Sequence, residues 1–479
     1  MKADTYLKKI PQINKISKLA KKLEIKVWLV GGFLRDSYLK VPKDLTDFDF
    51  CVEKKINPFV EEIAKSFEAK IIILDKKTSS FRIVLNKNKK KYSYDFILMR
   101  GKTIKKDLAL RDFTINSLAL DITKPKKILD YYQGISDLKN KKIKALAEKV
   151  IVDDPLRILR GFSFAANYGF RIEPQTSNFF SRHKKKLKNV SSERINEELF
   201  KIFNSKKSYK VIKKMDEVRV IDQILPYVGK MRKTVQGGFH HLNVWDHSIE
   251  TLKQFEMLYK RKIKKQDEIN NFLNQNLSGN RKRIQIIKLA CLLHDLGKPF
   301  VKKAAKTRTI FHAHEKVGRD ISSLFAKKIR LSRVEKKALE KMVFWHLRPG
   351  YLADQITPSR RAVYRFFRDT EQEGVSIIFL SLADWRATRG PLADLAKRKR
   401  HEKIMLKLIK DHFIEKKKKP IPKIIDGYDL MKQFKIKKGP LIGQILTKIK
   451  ELQAVGKIKK KSEALMAAEK IYTKKVKKK

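Results

Sequence analysis

The sequence has few cysteines, no long apolar run and few acidic residues, and each shortage excludes a class of protein. Only Cys51 and Cys291 occur among 479 residues, each inside an apolar stretch. That usage is typical of buried thiols in a reducing compartment, not of a disulfide framework. No apolar run approaches the roughly 20 residues that a membrane-spanning helix needs, and residues 1–17 lack the apolar core of a signal peptide. We therefore expect a cytoplasmic protein without a membrane segment.

Acidic residues are strongly outnumbered. The 113 Lys and Arg residues against 51 Asp and Glu give a formal net charge of +62. Such a charge attracts polyanions, so RNA or DNA is the expected partner. A lysine-rich surface without a nucleic-acid role is the alternative, but many lysines occur in runs, as at 184–186 and 416–419. Apolar residues make up 42% of the chain, which is enough for packed cores.

Hydrophobic patterns divide the chain into a mixed first part and a helical remainder. Strand-like runs lie at 26–30, 48–52, 70–74, 81–85 and 92–98, with a helical pattern at 58–67. Beyond about residue 145 helical spacing dominates, notably at 150–168, 191–203 and 427–470. Residues 261–283 are rich in Lys and Asn and indicate a surface insertion. A chain of this length has room for about three or four domains of typical size.

The most informative motif spans residues 27–36, Val-Trp-Leu-Val-Gly-Gly-Phe-Leu-Arg-Asp. Gly31 and Gly32 stand between a strand and a helix, where their backbone N–H groups can approach a phosphate, and Arg35 can donate to its oxygens. Asp47 and Asp49 follow at i, i+2 on the next strand, so both carboxylates face one side. Two hard oxygen ligands beside a phosphate site suit Mg²⁺. The motif therefore predicts a nucleotidyl-transfer site.

A third carboxylate usually completes such a metal site. Asp95, in Tyr92-Ser-Tyr-Asp-Phe-Ile, is the best candidate, and an ordinary strand-end carboxylate is the alternative. Further on, Asp154, Arg157 and Arg160 follow one another at i, i+3 steps and are predicted to share one helix face. An Asp and an Arg side by side can pair with the edge of a base. A solvated ion pair is the alternative for these residues.

These elements together resemble the class II tRNA nucleotidyltransferase and poly(A) polymerase family, in its bacterial branch with an HD domain. The motifs that carry the resemblance are Leu29-Val-Gly-Gly-Phe-Leu-Arg-Asp36, Asp47-Phe-Asp49, Arg111-Asp-Phe-Thr-Ile-Asn116, Asp154-Pro-Leu-Arg-Ile-Leu-Arg160 and Glu193-Arg-Ile-Asn-Glu-Glu-Leu199. The resemblance implies that Asp47 and Asp49 bind catalytic Mg²⁺. It also implies a nucleotide-binding set, which we take as Gly31, Gly32, Arg35, Arg111, Asp112, Asp154, Arg157 and Arg160. One departure is Leu110, where family members usually carry Arg.

Histidines and aspartates recur through the second half of the chain. They are His247, His294, Asp295, His314, His346 and Asp384. Imidazoles and carboxylates from several helices suit Mg²⁺ or a divalent transition metal. Their order resembles the HD metal-dependent phosphohydrolase domain, which implies that His247, His294, Asp295 and Asp384 ligate metal. His314 and His346 would then hold a second ion or a phosphate. A structural HD fold without turnover is the alternative.

The architecture expected from this resemblance is α+β. A small, polymerase-beta-like mixed-sheet nucleotidyltransferase head (1–145) precedes a helical neck (146–230), an all-helical HD domain (231–400) and a basic, helical, RNA-binding C-terminal body (401–479). The implied reaction is addition of CTP- and ATP-derived nucleotides to the 3′ end of tRNA to complete CCA. Addition of only the terminal A, poly(A) synthesis, an HD phosphohydrolase acting on RNA ends and a catalytically silent RNA-binding protein are the alternatives. The oligomeric state is not predicted.

Overall fold

The chain folds into two compact units, residues 1–224 and 225–479. The computed structural model describes residues 4–41, 46–87, 90–238, 240–263, 266–304, 309–355, 357–417 and 422–476. A mixed sheet lies in the first unit and helices dominate the second, so the predicted α+β class is confirmed. The division into four domains stays a proposal. Among the described residues no helix is both long and apolar enough to span a membrane.

The first unit is built around one mixed sheet. Its six described strands are β1 Val27–Val30, β2 Asp47–Val52, β3 Ile71–Asp75, β4 Ser80–Lys87, β5 Lys90–Leu98 and β6 Ala119–Asp121. Their order across the sheet is β3-β4-β5-β2-β1-β6. Strands β2 and β5 are parallel, and the other neighbouring pairs are antiparallel. The five strands predicted from sequence are confirmed to within a few residues, while β6 was missed.

Alternation along β2 explains how the sheet both packs and presents carboxylates. Phe48, Phe50 and Val52 are buried on one face, where Phe50 stacks on Phe96 at a centroid distance of 5.2 Å. Asp47 and Asp49 take the intervening positions, so they lie on the opposite face. The aromatic side therefore anchors the strand, and the acidic side is left for a site.

Helices complete the first unit. They are Asp4–Leu7, Ile13–Lys22, Gly32–Tyr38, Ile56–Phe67, Ile104–Ala109, Gly134–Lys139, Glu148–Asp153, Leu156–Tyr168, Pro174–His183, Ser192–Phe203 and Ser208–Glu217, with 3₁₀ turns at Thr114–Asn116, Lys184–Asn189 and Ile221–Gln223 and a small ladder between Lys142–Ile143 and Arg171–Ile172. The single helix predicted over 150–168 is wrong, because the chain breaks at Asp154. That residue is extended, with φ −138° and ψ 94°, as the residue before a proline prefers.

The second unit is helical apart from two short hairpins. Its helices are Val228–Lys233, Val244–Leu258, Asp267–Asn274, Arg283–Leu293, Lys298–Val301, His314–Lys328, Arg333–Trp345, Arg348–Ala353, Arg360–Thr370, Gly374–Ala387, Leu395–Lys417, Gly427–Phe434, Pro440–Ala454 and Lys461–Val476, with a π-helix at Tyr259–Ile263 and a 3₁₀ turn at Glu371–Glu373. The hairpins pair Asn276–Ser278 with Arg281–Lys282, and Lys303–Ala304 with Thr309–Ile310. Helices were predicted here, and Pro440 begins one of them as expected.

The surface position predicted for 261–283 is wrong at three of its described residues. Ile269 and Leu273 are buried on the helix Asp267–Asn274. Arg283 is also buried, where its guanidinium pairs with Glu373 and lies 4.4 Å from the ring centroid of Phe272. A polar composition therefore did not reveal that Arg283 has a buried partner.

The last three helices enclose an apolar cluster of their own. Leu430, Ile445, Ile449 and Ala464 lie in its centre. On the same unit, buried Glu451 accepts hydrogen bonds from three arginines of the helix Arg360–Thr370, namely Arg361, Arg365 and Arg368. One buried carboxylate therefore joins this cluster to the preceding helices.

Candidate nucleotide and metal sites

A tight turn after β1 brings backbone, guanidinium and carboxylate together. Gly31 has φ +74°, a conformation that favours glycine. A Cβ added to Gly31 would lie 3.1 Å from Nη1 of Arg111 and 3.4 Å from Oδ2 of Asp49. Gly31 therefore leaves space between a cation and a carboxylate that come from distant parts of the sequence.

Three carboxylates lie near one another on this face of the sheet. In the parallel β2–β5 ladder Asp49 is opposite Asp95, and Asp47 is opposite Ser93. Asp95 is engaged in a bidentate pair with Arg82, with both N···O distances at 2.7 Å. Burial raises the pKa of Asp49, and the neighbouring Asp95 and Asp47 add to this, although Arg111 opposes it. Burial therefore disfavours the ionised form of Asp49 more than the nearby arginines favour it.

A cleft of about 300 Å³ opens beside these strands. Its lining includes five arginines, Arg100, Arg111, Arg157, Arg160 and Arg194, and three aspartates, Asp107, Asp112 and Asp154. Cys51 of β2 also lines it. Five guanidinium groups around a cavity of this size suit a polyphosphate. Five of the predicted nucleotide-binding and base-reading residues thus border one cleft.

Asp112 lies at the centre of a hydrogen-bond network in the cleft wall. It accepts from Arg160 at 2.7 and 2.9 Å and from the Asn116 side chain at 2.9 Å. Burial alone would raise its pKa, but Arg160, Asn116 and the Phe113 amide hold the pKa below its ordinary value. Asp112 is therefore an ionised anchor that orients Arg160.

Arg35 occupies a different environment from the one expected for a phosphate ligand. Its side chain is buried and donates to Asp36 at 2.8 Å and to Asn116. Its guanidinium also lies 4.9 Å from the ring centroids of both Phe164 and Tyr168. Through Asn116 it reaches Asp112, so in this structure Arg35 braces the network. Its direct contact with nucleotide stays a prediction.

The predicted common helix face is wrong for Asp154, while Arg157 and Arg160 both lie on the helix Leu156–Tyr168. Asp154 precedes the helix Leu156–Tyr168 and pairs with Arg194 at 2.9 Å. The Arg157 guanidinium donates instead to the backbone carbonyls of Leu110 and Val150 at 3.0 and 3.2 Å. The guanidinium beside Asp154 in the cleft is therefore that of Arg194, as that of Arg160 is beside Asp112.

The six residues of the histidine cluster converge in the second unit. His247, His294 and Asp384 form one group of possible metal ligands, and Asp295, His314 and His346 form another. Asp295 lies between the groups, since its Oδ2 is 3.2 Å from Nε2 of His294 while its Oδ1 is 3.3 Å from Nε2 of His314. A carboxylate that faces two sets of ligands in this way is suited to bridge two cations.

Ring orientation prepares the histidines for metal. Nδ1 of His294, His314 and His346 lies 3.0, 2.8 and 2.7 Å from the backbone carbonyls of Cys291, Phe311 and Val343. Donation from Nδ1 leaves the Nε2 lone pair for a ligand. The buried Nε2 of His294 has no aligned hydrogen bond among the described residues. Burial, with the nearby His314 and His294, lowers the pKa of His346 to about 3, so this imidazole is neutral.

A cavity of about 350 Å³ opens above the cluster and is called the HD cleft below. Asp295, His346 and Asp384 border it on the side of the ligands, and Trp385 and Lys298 contribute to its wall. Nζ of Lys298 is 2.7 Å from Oδ2 of Asp295. Basic side chains thus stand beside the ligand atoms, where an anionic substrate would lie.

Sequence reasoning missed several of these residues. Arg194 lies inside a motif quoted above, but its partner Asp154 is distant in sequence, so spacing gave no signal. Lys298 follows the His294–Asp295 pair by one helical turn, and that spacing was an available signal. Arg82 pairs with Asp95 across two strands and could not be found without the register.

Comparisons with known proteins cover most of the chain. Family models match as poly(A) polymerase head domain at residues 27–144, RNA- and SrmB-binding site of polymerase A at 169–231, HD domain at 244–389 and tRNA nucleotidyltransferase domain 2 at 392–468. Their order along the chain is the order expected from the motifs.

Whole-length relatives agree. An A-adding tRNA nucleotidyltransferase of Deinococcus radiodurans is 25% identical over 91% of this chain and 93% of its own length. A CC-adding tRNA nucleotidyltransferase of Thermus thermophilus is 26% identical over 91% of each. In fold, the chain resembles a CCA-adding enzyme of Thermotoga maritima solved with tRNA, with a TM-score of 0.66, 21% identity and coverage of 99% and 98%. On these grounds the chain belongs to the tRNA nucleotidyltransferase and poly(A) polymerase family, in the branch that carries an HD domain.

Proposed function

We propose that this protein transfers nucleotides from CTP and ATP to the 3′ end of tRNA. The observation that carries the proposal is the convergence of Gly31, Arg111 and Asp49 beside an arginine-lined cleft. Relatives of nearly the same length are named for this reaction. The two free, buried cysteines fit a cytoplasmic location, which is part of the proposal.

Asp47 and Asp49 are the residues that would hold Mg²⁺. Both lie on one face of β2, where burial raises the pKa of Asp49 and a bound cation would lower it again. Hard oxygen ligands suit Mg²⁺. When bound, divalent ions in such sites stabilise the charge on the attacking and leaving oxygens. Asp95 is proposed as the third catalytic carboxylate, which requires that Arg82 release it when substrate binds.

The remaining roles are positioning and charge neutralisation. Gly31 allows the backbone to approach the triphosphate, and Arg111 donates to its oxygens. Arg160 is held by Asp112 and extends the cationic wall. Phosphoryl transfer needs little covalent help from a protein, so these contacts account for most of the expected catalysis. Asp154 is proposed to read the base, with Arg157 fixing the turn on which Asp154 lies.

Three outcomes within this reaction remain distinct: full CCA addition, addition of only part of CCA, and poly(A) synthesis. The relatives include both A-adding and CC-adding enzymes, so similarity does not choose among them. The test offers labelled CTP and ATP, separately and together, to tRNA transcripts that lack zero to three 3′ nucleotides. Product lengths then assign the activity. Absence of any incorporation in the presence of Mg²⁺ contradicts the proposal.

The second unit supports a further activity, metal-dependent phosphohydrolysis of RNA ends. The observation that favours it is Asp295, which faces both groups of histidines. His247, His294, Asp295 and Asp384 would hold one divalent ion, and His314 and His346 would help hold a second. Such ions supply an activated water and stabilise phosphoryl charge. The test measures phosphate release from 3′-phosphorylated RNA. We expect the wild-type protein to release phosphate and His294→Ala to release none. A wild-type protein that releases no phosphate contradicts this activity.

A further inference from the structure

A second, strongly basic cavity lies on the same unit as the HD cleft. It encloses about 260 Å³, and five of its eight lining residues are cationic: Arg261, Arg386, Arg389, Arg398 and Lys399. We call it the basic pocket. No motif or family resemblance above assigns it a role.

Internal ion pairs neutralise only part of this charge. Glu402 forms a bidentate pair with Arg386 at 2.7 and 3.0 Å, and Arg389 contributes to the lowered pKa of nearby Glu250. Arg389 donates to the Arg386 carbonyl at 3.1 Å. Arg398 and Lys399 have no carboxylate partner within the described ranges. Cations that outnumber the nearby carboxylates in this way favour a ligand that carries more than one negative charge.

The basic pocket adjoins the HD cleft. Arg398 lines both cavities, whereas Arg389 and Lys399 line only the basic pocket. Arg398 and Lys399 lie near the start of the helix Leu395–Lys417. A ligand with one phosphate beside Asp295 could therefore extend its next phosphates past Arg398 into the basic pocket.

The wall of the HD cleft indicates which kind of molecule carries those phosphates. Trp385 lines the cleft and stacks in parallel on His401, with ring centroids 4.4 Å apart. Leu392 and Leu395 add apolar surface. An aromatic ring beside several cations, as Trp385 is here, suits a single-stranded nucleic acid, whose bases stack on such rings.

We propose that the basic pocket is a strand subsite, which binds internal phosphates of a single-stranded oligonucleotide whose terminal phosphate lies in the HD cleft. This inference rests on the phosphohydrolase function proposed above. In the reaction a water oxygen bonds to phosphorus, the ester P–O bond breaks, and the departing 3′ oxygen takes the proton to leave a hydroxyl and inorganic phosphate. Because of the subsite, an oligonucleotide with a 3′ phosphate should be hydrolysed with a higher kcat/KM than a nucleoside 3′-monophosphate.

The kinetic test compares a nucleoside 3′-monophosphate with a hexanucleotide that ends in the same 3′-phosphorylated nucleotide. For the wild-type chain we expect kcat/KM to be about ten- to a hundredfold higher for the hexanucleotide, as two or so charge-assisted contacts would give. The double variant Arg389→Gln with Lys399→Gln should lose this advantage and hydrolyse the mononucleotide as before. Lys410→Gln, an exposed change on the same helix, is the matched control. Equal rates on both substrates, or equal losses on both, would overturn the proposal.

A crosslinking test needs no turnover. The hexanucleotide carries 4-thiouridine two positions before its 3′ phosphate, and adducts are mapped by mass spectrometry in excess competitor with a free 3′ hydroxyl. We expect adducts in residues 385–402 that disappear in the double variant and persist in Lys410→Gln. Adducts elsewhere only, or adducts unchanged in the double variant, contradict the subsite. If wild-type protein releases no phosphate yet gives the expected adducts, the phosphohydrolase proposal fails and the subsite stands.

Discussion

Gly31 and Arg111 lie so close that a methyl group on Gly31 would come within 3.1 Å of the Arg111 guanidinium. This proximity brings the turn after β1 next to a motif 80 residues later. It fixes where a triphosphate can approach the backbone, since the glycine supplies space and the arginine supplies charge.

Gly31→Ala should therefore reduce nucleotide addition more than it reduces folding. The positive φ of Gly31 makes alanine strained by about 1–3 kcal/mol, and the methyl group displaces Arg111. We expect KM for the nucleotide to rise and kcat to fall, while the circular dichroism spectrum stays native. Gly169→Ala, where φ is +69° but open space surrounds the Cβ, is the matched control for strain. Equal loss of addition in both variants would refute the role of Gly31.

Asp49→Asn should stabilise the metal-free protein and abolish its activity. The folded-state pKa of Asp49 is raised by burial and by its acidic neighbours, so the ionised carboxylate opposes folding at neutral pH. The protonated carboxyl of Asp49 therefore adds to the free energy of unfolding at low pH. This contribution is lost as the pH rises through the raised pKa. Thermal melting in chelator measures the effect, at about 2–4 °C for each kcal/mol gained. A lower melting temperature for the variant contradicts the assignment.

Arg194→Ala should change nucleotide selectivity, whereas Arg157→Ala should lower stability. Arg194 is half exposed and pairs with Asp154, so its loss frees that carboxylate and changes the ratio of kcat/KM for CTP to that for ATP by about tenfold or more. Arg157 instead satisfies backbone carbonyls, and its loss should cost about 1–3 kcal/mol of stability. Steady-state kinetics and urea unfolding separate the two effects. An unchanged CTP-to-ATP ratio in Arg194→Ala contradicts a role for Asp154 and Arg194 in reading the base.

Glu451→Gln should weaken the attachment of the last three helices. Three arginines bind this buried carboxylate, and removing its charge should cost about 1–3 kcal/mol. Hydrogen bonds from Arg365 and Arg361 outweigh burial and lower its pKa from 4.5 to about 2. The contribution of Glu451 to the free energy of unfolding is therefore complete above pH 4.5 and is lost as the pH falls toward 2. Urea unfolding at several pH values measures this, with exposed Glu469→Gln as control. Equal stabilities of the two variants at neutral pH would contradict it.

Divalent metal should stabilise the second unit through the histidine cluster. Binding at a hundred times the Kd adds about 2.7 kcal/mol. We expect Mn²⁺ or Ni²⁺ to raise the unfolding temperature of wild-type protein and not of a His294→Ala, His346→Ala double variant. A shift of equal size in both proteins would place the metal elsewhere.

Much of the site could be predicted because its residues lie in short local motifs. The Gly31-Gly32 turn and the alternation of Asp47 and Asp49 depend on neighbours in sequence, as did the buried runs that became β2 and β5. The helix across 150–168 failed where local spacing was interrupted by Pro155, which makes Asp154 extended. The surface position predicted for 261–283 failed at Arg283, because composition does not reveal that this residue has a buried partner in Glu373.

Side-chain contacts between residues that are distant in sequence could not be predicted from the sequence. Asp95 looked like a free third carboxylate, yet its bidentate contact with Arg82 depends on strand register. Arg35 looked like a phosphate ligand, yet it is enclosed by Phe164, Tyr168 and Asn116. Such side chains reach different partners through the fold, so sequence spacing alone does not indicate whether they remain available to substrate.

The most direct test of the central claim assigns nucleotide addition to one of the two acidic sites. Single-turnover incorporation of CTP and ATP into tRNA that lacks its 3′ nucleotides is measured for the wild type, Asp47→Ala and Asp295→Asn, with folding checked by thermal melting. We expect Asp47→Ala to be folded and inactive and Asp295→Asn to add nucleotides at the wild-type rate. Full addition by Asp47→Ala would contradict the assignment of nucleotidyl transfer to the carboxylates of β2.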